Sequence, residues 1–192
     1  MAGYAQRYLK HMPFLADDAY AGEGHDFPIC CLHPLGRLAV IVWKLAEIRG
    51  KYDSLGVSAE IIADTFHDIT LRQHLFFQET GKVGLSRADC VWLRHLANAQ
   101  IFKLGVLQYQ PTRMFYLETY EDSRSFFLIS EAQKTRLPAG TPVLNVHIQK
   151  GADLRQENVT ASLRMAKDFF TQVFSATHFR AMVCYSWLLY SG

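Results

Sequence analysis

The stretch Val143–Phe170, "VLNVHIQKGADLRQENVTASLRMAKDFF", decides the fold of this protein. It opens with six largely apolar residues of the β-favouring kind, which is typical of a strand. After a short turn that contains Gly151, apolar residues recur with a helical period over residues 159–174. A further apolar run, "FRAMVCYSWLL", predicts another strand. A strand, a helix and a strand in this order favour a right-handed parallel unit.

The sequence before position 102 predicts helices. "PLGRLAVIVWKLAEIRG" has apolar residues at i, i+3, i+4 and i+7 spacing and is predicted to end at Gly50. Ser58 and Ser86 are suitable N-caps for two more helices, and Gly81 is a suitable stop for the first of these. We therefore expect a helical N-terminal unit over residues 1–101. The predicted buried face of its first helix consists of Leu38, Ile41, Val42, Leu45 and Ile48.

Residues 102–192 predict an α/β domain. The runs "KLGVLQYQP", "MFYLETY" and "SFFLIS" are short, rich in β-branched or aromatic residues and separated by turn residues, so they predict a meander of three antiparallel strands. The loop "TRLPAGTP" then leads into the strand of the opening stretch. The predicted fold class is α+β, with a helical unit followed by a mixed, mostly antiparallel sheet that has a βαβ end.

Composition excludes several classes of function. The 192 residues are 49% hydrophobic and 20% charged, and the net charge of +2 comes from interspersed acids and bases rather than a basic cluster. We therefore expect no nucleic-acid partner. No apolar run is long enough to span a membrane, so we expect no membrane partner. The 4 cysteines include no C-x-x-C pair, which argues against a disulfide framework or a zinc site and favours the cytoplasm.

Alternation along the two strands identifies candidate site residues. His147 shares a strand face with Asn145, and it handles a proton near neutral pH if that face lines a cleft. A buried or surface histidine with a structural role is the alternative. On the last strand, Cys184 and Tyr185 point to opposite faces. Gly151 lies in a turn before a helix, where backbone N–H groups can bind a phosphate. The alternative is an ordinary strand-to-helix loop capped by Asp153 or Asn158.

A second constellation lies in the N-terminal unit. Asp64, His67, Asp68 and His74 share roughly one side of a predicted helix, at spacings that can hold a metal ion. The solvated face of an ordinary amphipathic helix has the same pattern, and a metal site needs ligands from a second element. We predict no metal.

The chain resembles a family of bacterial acyltransferases with a helical N-terminal part and a GNAT-like (N-acetyltransferase-like) C-terminal domain. The most specific matching segments are the block "WLRHLANAQIFKLGVLQY", the strand and turn "VLNVHIQKGADL", and the terminal "CYSWLL". The resemblance covers most of the chain from about Pro34 onward. It implies an antiparallel sheet whose fourth strand feeds a helix, with the pantetheine of a CoA thioester lying where that strand parts from the fifth.

The resemblance also implies an activity, namely transfer of an acyl group from acetyl-CoA or another acyl-CoA to an amine of a small molecule or peptide. From the strand alternation we expect His147 to act as the base, and Cys184 or Tyr185 to lie near the thioester sulfur. A cofactor-binding segment is expected at the end of the strand and in the turn. It consists of Ile148, Gln149, Lys150, Gly151 and Ala152.

Two other hypotheses stay open at this point. The pyrophosphate loop of acetyltransferases has the pattern Q/R-x-x-G-x-G/A, whereas "QKGADL" has its glycine two residues after Gln149. This difference favours a GNAT-like binding or assembly module without catalysis. A thiol hydrolase using Cys184 and His147 is the third hypothesis. Members of the family continue past the "SWLL" block, so we expect further strands, a partner or a homodimer to complete the sheet.

Overall fold

The computed structural model describes residues 28–116 and 131–184. The chain forms two compact units, which divide between Phe102 and Lys103. The first unit is helical within its described part, and the second combines a sheet with helices. The fold class is α+β, as predicted.

The N-terminal unit consists of a short 3₁₀ helix and three α-helices. The 3₁₀ helix is Pro28–Cys31, and the α-helices are α1 (Pro34–Ser54), α2 (Ala59–Thr80) and α3 (Arg87–Ala97). The core of this unit lies among the three α-helices and the segment that follows α3, where Leu93 and Ile101 are fully buried.

Helix α1 is longer than the sequence predicted. Gly50 does not end it, and the helix continues to Ser54. The extra turn buries the ring of Tyr52, whose hydroxyl lies 3.1 Å from the carbonyl oxygen of Leu96 and 3.0 Å from that of Ile101. These tertiary contacts outweigh the modest cost of a glycine inside a helix. The prediction for Val42 was also wrong, because 47% of this residue is exposed.

The caps of α2 and α3 follow the prediction. Ser58 accepts a hydrogen bond from the Ile61 amide at the start of α2. Gly81 ends that helix in the left-handed conformation, with a φ of 66° that a residue without a Cβ adopts at no cost. Ser86 begins α3 and forms a capping box with Asp89, in which each side chain accepts from the other residue's amide.

A buried carboxylate links α2 to α3. Asp68 is 1% exposed and accepts hydrogen bonds from Trp92 Nε1 at 2.6 Å and from Arg72 Nε at 3.2 Å. Arg72 also pairs with Asp89 at 3.1 Å and stacks over the Trp92 ring. Asp68 is therefore a structural anchor between two helices, and the histidines predicted beside it, His67 and His74, are exposed.

The C-terminal unit contains a four-stranded sheet and two helices. The strands are β1 (Phe102–Leu104), β2 (Leu107–Arg113), β3 (Pro142–Ile148) and β4 (Met182–Val183), and their order in the sheet is β1-β2-β3-β4. Strands β2 and β3 pair antiparallel over their whole lengths, and β3 pairs parallel with β4. The helices are α4 (Glu131–Arg136) and α5 (Gln156–Val173). The predicted parallel β-α-β unit is present as β3-α5-β4.

The predicted meander is only partly correct. "KLGVLQYQP" is not one strand, because Gly105 has a φ of 67° and turns the chain between β1 and β2. The residues at 114–116 form no strand. The rest of "MFYLETY" and all of "SFFLIS" lie outside the described residues, as does the end of the predicted fifth strand beyond Cys184.

Helix α5 packs on one face of the sheet through Ser162. Its hydroxyl donates to the carbonyl oxygen of Leu104, accepts from the Leu107 amide at 3.3 Å, and lies 3.0 Å from the Tyr109 hydroxyl. A Cβ on Gly105 would approach the Ser162 Cβ to 3.3 Å, so the close packing and the positive φ both favour glycine there. This contact joins the β1–β2 turn to the middle of the crossover helix.

Candidate functional site

The register of β2 and β3 gives the sheet one apolar and one polar face. On the apolar face, Tyr109 pairs with Val146 and packs edge-on against Phe170 of α5. On the opposite face, Gln108 lies beside His147, and Gln110 lies beside Asn145. We call these four side chains, Gln108, Gln110, Asn145 and His147, the polar quartet.

The polar quartet has one internal hydrogen bond and two buried polar atoms without one. Nε2 of His147 lies 2.9 Å from Oε1 of Gln110, across the diagonal of the quartet. Gln108 is only 1% exposed, and neither its Nε2 nor Oδ1 of Asn145 has a hydrogen-bond partner among the described residues. Buried polar groups in folded proteins are nearly always hydrogen-bonded, so these two atoms are candidates for contact with a ligand or an ordered water.

The pairing of β3 with β4 is short. It comprises Leu144 with Met182 and Asn145 with Val183. The Leu144 amide donates a hydrogen bond to the carbonyl oxygen of Ala181 at 3.0 Å, so it points toward β4. By backbone alternation, the N–H and C=O groups of Ile148 point toward the same side of β3, beyond the last described β3–β4 pair. His147 thus lies past the point where the described pairing of these two strands ends.

The β3–β4 register indicates different faces of the sheet for His147 and Cys184. Val183 pairs with Asn145 and shares the face of His147, whereas Met182 pairs with Leu144 on the face that packs against α5. Cys184 follows Met182 by two residues and is in phase with it. Burial also raises the pKa of the Cys184 thiol, which disfavours the thiolate. The phase of Cys184 and the raised pKa of its thiol argue against a thiol hydrolase that uses Cys184 with His147, and that hypothesis stays a prediction. Tyr185 lies outside the described residues.

The predicted cofactor segment forms the end of β3 and a tight turn. Ile148 is the last residue of β3, and the side chain of Gln149 accepts a hydrogen bond from Lys103 Nζ on β1. The Ala152 amide donates to the Gln149 carbonyl at 3.1 Å, with Gly151 at a φ of 81°. Lys150 is exposed. A Cβ on Gly151 would meet nothing within 4 Å, so the backbone of the turn is open to a ligand.

Helix α5 begins without a side-chain cap. Its N-cap residue is Arg155, not the Asp153 or Asn158 that ordinary capping would use, and no side chain accepts from the first-turn amides. Asp153 instead accepts from the Arg155 side chain at 2.6 Å and from Asn158 at 2.9 Å. Hydrogen bonds from Arg155 lower the pKa of Asp153. Glu157 also lies in the first turn and pairs with Arg155 at 3.4 Å, so an anion that binds at the helix start shares its partial positive charge with this carboxylate.

A separate cavity lies at the other end of α5. It has a volume of about 360 Å³, and Phe170, Phe174 and Phe179 form its aromatic wall. Lys167, His178 and Arg180 also line it. The sequence did not predict this cavity, because its lining combines Leu144 of β3 with the end of α5 and the residues that follow it, which meet only in the folded chain.

Sequence analysis also missed Gln108 and Gln110. The signal was present in "LQYQP", where two glutamines alternate with apolar residues as the polar face of a strand requires. Their position opposite His147 depends on the register of β2 with β3, which the sequence does not state.

Two searches of residues 28–116 and 131–184 gave negative results. No group of three or more His, Cys, Asp or Glu side chains within this part of the chain could hold a metal ion. No helix within it is long and apolar enough to cross a membrane.

Two family models match the chain. The N-acyltransferase N-terminal domain matches residues 17–98, and the GNAT-like C-terminal domain matches residues 101–192. The chain therefore belongs to the acyltransferase family that joins an N-acyltransferase N-terminal domain to a GNAT-like C-terminal domain. A search of curated proteins found no significant match.

The fold is shared with solved acyltransferase structures. One, in complex with decanoyl-CoA, is 20% identical with a TM-score of 0.67, and the match covers 97% of this chain and 52% of that chain. Another, in complex with decanoyl-CoA and teicoplanin, is 19% identical with a TM-score of 0.66, covering 97% of this chain and 50% of the other. A variant in complex with octanoyl-CoA is 19% identical with a TM-score of 0.65 and the same coverage, 97% and 50%. The chain thus spans about half the length of these structures, and the likeness at such identities concerns the fold.

Proposed function

We propose that the protein transfers an acyl group from an acyl-CoA thioester to an amine. The single observation that carries this proposal is the position of His147, which lies on the polar face of β3 just beyond the described β3–β4 pairing, in a domain that matches the GNAT-like model. The solved neighbours bind decanoyl-CoA and octanoyl-CoA, which supports an acyl-CoA as donor. One neighbour also binds teicoplanin, a glycopeptide, which is compatible with an amine acceptor.

The end of β3 fits the donor. Backbone N–H and C=O groups of β3 beyond its last described pair with β4 can hydrogen-bond the two amides of an extended pantetheine arm as a further strand would. Ile148 at the end of β3 supplies such groups.

The turn after β3 fits the phosphates of CoA. Backbone N–H groups of the turn around Gly151 and at the start of α5 are suitable donors to a pyrophosphate, and Lys150 adds a positive charge. Asp153 and Glu157 would repel an anion, and the Arg155 guanidinium, which pairs with both, offsets part of their charge. We therefore assign phosphate anchoring to residues 149–152 together with the N-terminus of α5.

His147 is the proposed general base. A side-chain carbonyl oxygen only accepts hydrogen bonds, so the contact of Nε2 with Gln110 Oε1 places the ring hydrogen on Nε2 and leaves Nδ1 as the basic nitrogen of the neutral ring. The amine nitrogen attacks the thioester carbonyl carbon, and His147 takes the proton that nitrogen loses. Collapse of the tetrahedral intermediate forms the amide, breaks the C–S bond and releases CoA.

Neither residue predicted near the thioester sulfur is needed for these steps. Cys184 lies in phase with the opposite face of the sheet. Tyr185 would share the face of His147 by alternation, and its role near the sulfur stays a prediction.

Binding and turnover of acyl-CoA test the proposal. We expect the wild type to bind decanoyl-CoA or acetyl-CoA in titration calorimetry and to transfer the acyl group to an amine. His147→Ala should leave the Kd for acyl-CoA unchanged and lower kcat by about 10²–10⁴-fold. His67→Ala, which changes an exposed histidine on α2, is the matched control. Unchanged turnover in His147→Ala would remove His147 from the mechanism, and absence of acyl-CoA binding would favour the non-catalytic binding module.

A further inference from the structure

We propose that Gln108 and Asn145 bind the acceptor amine beside His147, and that they select an amine that carries a nearby oxygen and no charged group other than the amine itself. This inference rests on the proposed function, since it names the acceptor of that same reaction. It starts from two buried polar atoms, Gln108 Nε2 and Asn145 Oδ1, that have no hydrogen-bond partner among the described residues.

One of the two atoms is a hydrogen-bond donor and the other is a hydrogen-bond acceptor. Nε2 of Gln108 is a donor and requires an acceptor, whereas Oδ1 of Asn145 is an acceptor and requires a donor. Both atoms are buried and have no hydrogen-bond partner among the described residues. A ligand with an N–H group on one side and an oxygen on the other satisfies both at once.

The register places His147 between these atoms. Gln108 is the direct neighbour of His147, and Asn145 is the direct neighbour of Gln110. Gln108 and Asn145 therefore occupy one diagonal of the polar quartet, and the hydrogen-bonded His147–Gln110 pair occupies the other. Diagonal neighbours in an antiparallel pair are about 7–8 Å apart, so a small molecule that contacts both would pass over the His147–Gln110 contact.

The polar quartet also indicates the charge of the ligand. Its three amide side chains carry no charge, and the fourth member, His147, must be neutral to act as a base. A free α-amino acid would need a cation for its carboxylate, and a polyamine would need carboxylates for its other ammonium groups. The quartet provides neither. An amino amide or an amino alcohol has the required amine and oxygen without a second charge.

Stability and kinetics of paired variants test the role of the two side chains. Gln108→Met and Asn145→Leu keep similar volumes but remove the polar atoms. If these atoms are kept for a ligand, either variant should have an unchanged or higher Tm without acceptor, and should raise the acceptor KM about tenfold or more without changing the KM for acyl-CoA. Thr112→Val, which lies on the same face of β2 outside the quartet, is the control and should change neither KM.

A set of small amines tests the class of acceptor. Glycinamide and 2-aminoethanol carry the oxygen, propylamine lacks it, glycine adds a carboxylate, and 1,3-diaminopropane adds a second cation. We expect kcat/KM for the first two to exceed that for each of the other three by about tenfold or more. Gln108→Met should remove the advantage over propylamine, because the oxygen then has no donor.

The outcomes separate this inference from the proposed function. A clear fall in Tm with both quartet variants and an unchanged acceptor KM would assign Gln108 and Asn145 a structural role and overturn the inference, while acyl transfer would stand. Acyl-CoA binding without transfer to any of the five amines, or equal use of all five, would overturn it as well. Failure of the wild type to bind acyl-CoA would overturn the proposed function and this inference together.

Discussion

The imidazole of His147 on β3 and the amide of Gln110 on β2 meet across the sheet, with 2.9 Å between Nε2 and Oε1. The two residues are 37 positions apart in the chain. Because the contact is diagonal, it orients the ring along the polar face of the sheet and determines which nitrogen carries the hydrogen. Gln110 is therefore a positioning residue for the proposed base.

Substitutions at Gln110 should change the pH dependence of the reaction. Gln110→Glu places a carboxylate beside the ring, which stabilises the imidazolium, so the acidic limb of the kcat/KM profile should move upward by about one pH unit or more. Gln110→Leu removes the acceptor for Nε2–H and should lower kcat about tenfold while the KM for acyl-CoA stays unchanged. Steady-state kinetics over pH 5–9 measures both, and identical profiles in all three proteins would exclude a positioning role for Gln110.

The cysteines should differ in reactivity according to their burial. Burial raises the pKa of Cys184, and it raises the pKa of Cys90 to about 12, so both stay protonated at neutral pH. Iodoacetamide reacts with thiolates. Cys31, which is exposed, should therefore be alkylated first, and Cys184 more slowly with a rate that rises with pH. Cys30 and Cys90, which are buried, should react only on unfolding, as peptide mass spectrometry would show.

Removal of the Cys184 thiol should leave acyl transfer within about threefold of wild type, since Cys184 is in phase with the face opposite His147. The assay is turnover of Cys184→Ala at pH 7.5. A loss of 100-fold or more would restore the thiol as a candidate nucleophile.

Breaking the Asp68 anchor should destabilise the helical unit. Asp68→Ala leaves the Trp92 N–H without its acceptor and removes one of the carboxylates paired with Arg72, so the free energy of unfolding should fall by about 3 kcal/mol. Trp92→Phe loses one hydrogen bond to a charged group and should lower the free energy of unfolding by about 2 kcal/mol. Urea titration followed by circular dichroism measures both.

The control for the variants Asp68→Ala and Trp92→Phe is Asp53→Ala. Asp53 forms an exposed ion pair with Arg49 at 3.5 Å, and such a pair contributes about 0.5 kcal/mol or less. Equal destabilisation by Asp53→Ala and Asp68→Ala would show that the buried position of Asp68 is irrelevant.

Loss of the Ser162 hydroxyl should weaken the contact between α5 and the sheet. Ser162→Ala removes the partner of the buried Leu107 amide and of the Tyr109 hydroxyl, so the free energy of unfolding should fall by about 2 kcal/mol. Ser175→Ala changes an exposed serine and should alter it by less than about 0.5 kcal/mol. The same denaturant titration compares the two, and indistinguishable midpoints would contradict the assigned role of Ser162.

Local features of the sequence predicted the elements that local chemistry controls. Ser58 and Ser86 begin their helices because their side chains accept from amides three residues on, and Gly81 ends one because a residue without a Cβ adopts positive φ readily. The strand with His147 and the helix after it were found from their periods of two and 3.6 residues. The resemblance to the acyltransferases, confirmed by the two family models, is likewise a property of the sequence.

Other features depend on contacts between distant segments. Gly50 is an acceptable helix end by its own chemistry, and only the burial of Tyr52 against Leu96 and Ile101 extends α1 past it. Likewise, the pairing of β3 with β4 puts Val183 on the face of His147 and Met182 on the opposite face, which no spacing in the sequence states.

The sequence by itself determined the helical N-terminal unit, the β-α-β unit, the family and the candidate base. Helix caps, residue periods and motifs involve only a few neighbouring residues, so they can be recognised without the fold. Only the tertiary structure decided which side chains surround that base. Shifting β2 by one residue against β3 would turn Gln108 and Gln110 to the face of α5 and put Tyr109 beside His147. The register is held by the fit of Tyr109 against Ser162 and Phe170, and that fit exists only once α5 has packed on the sheet.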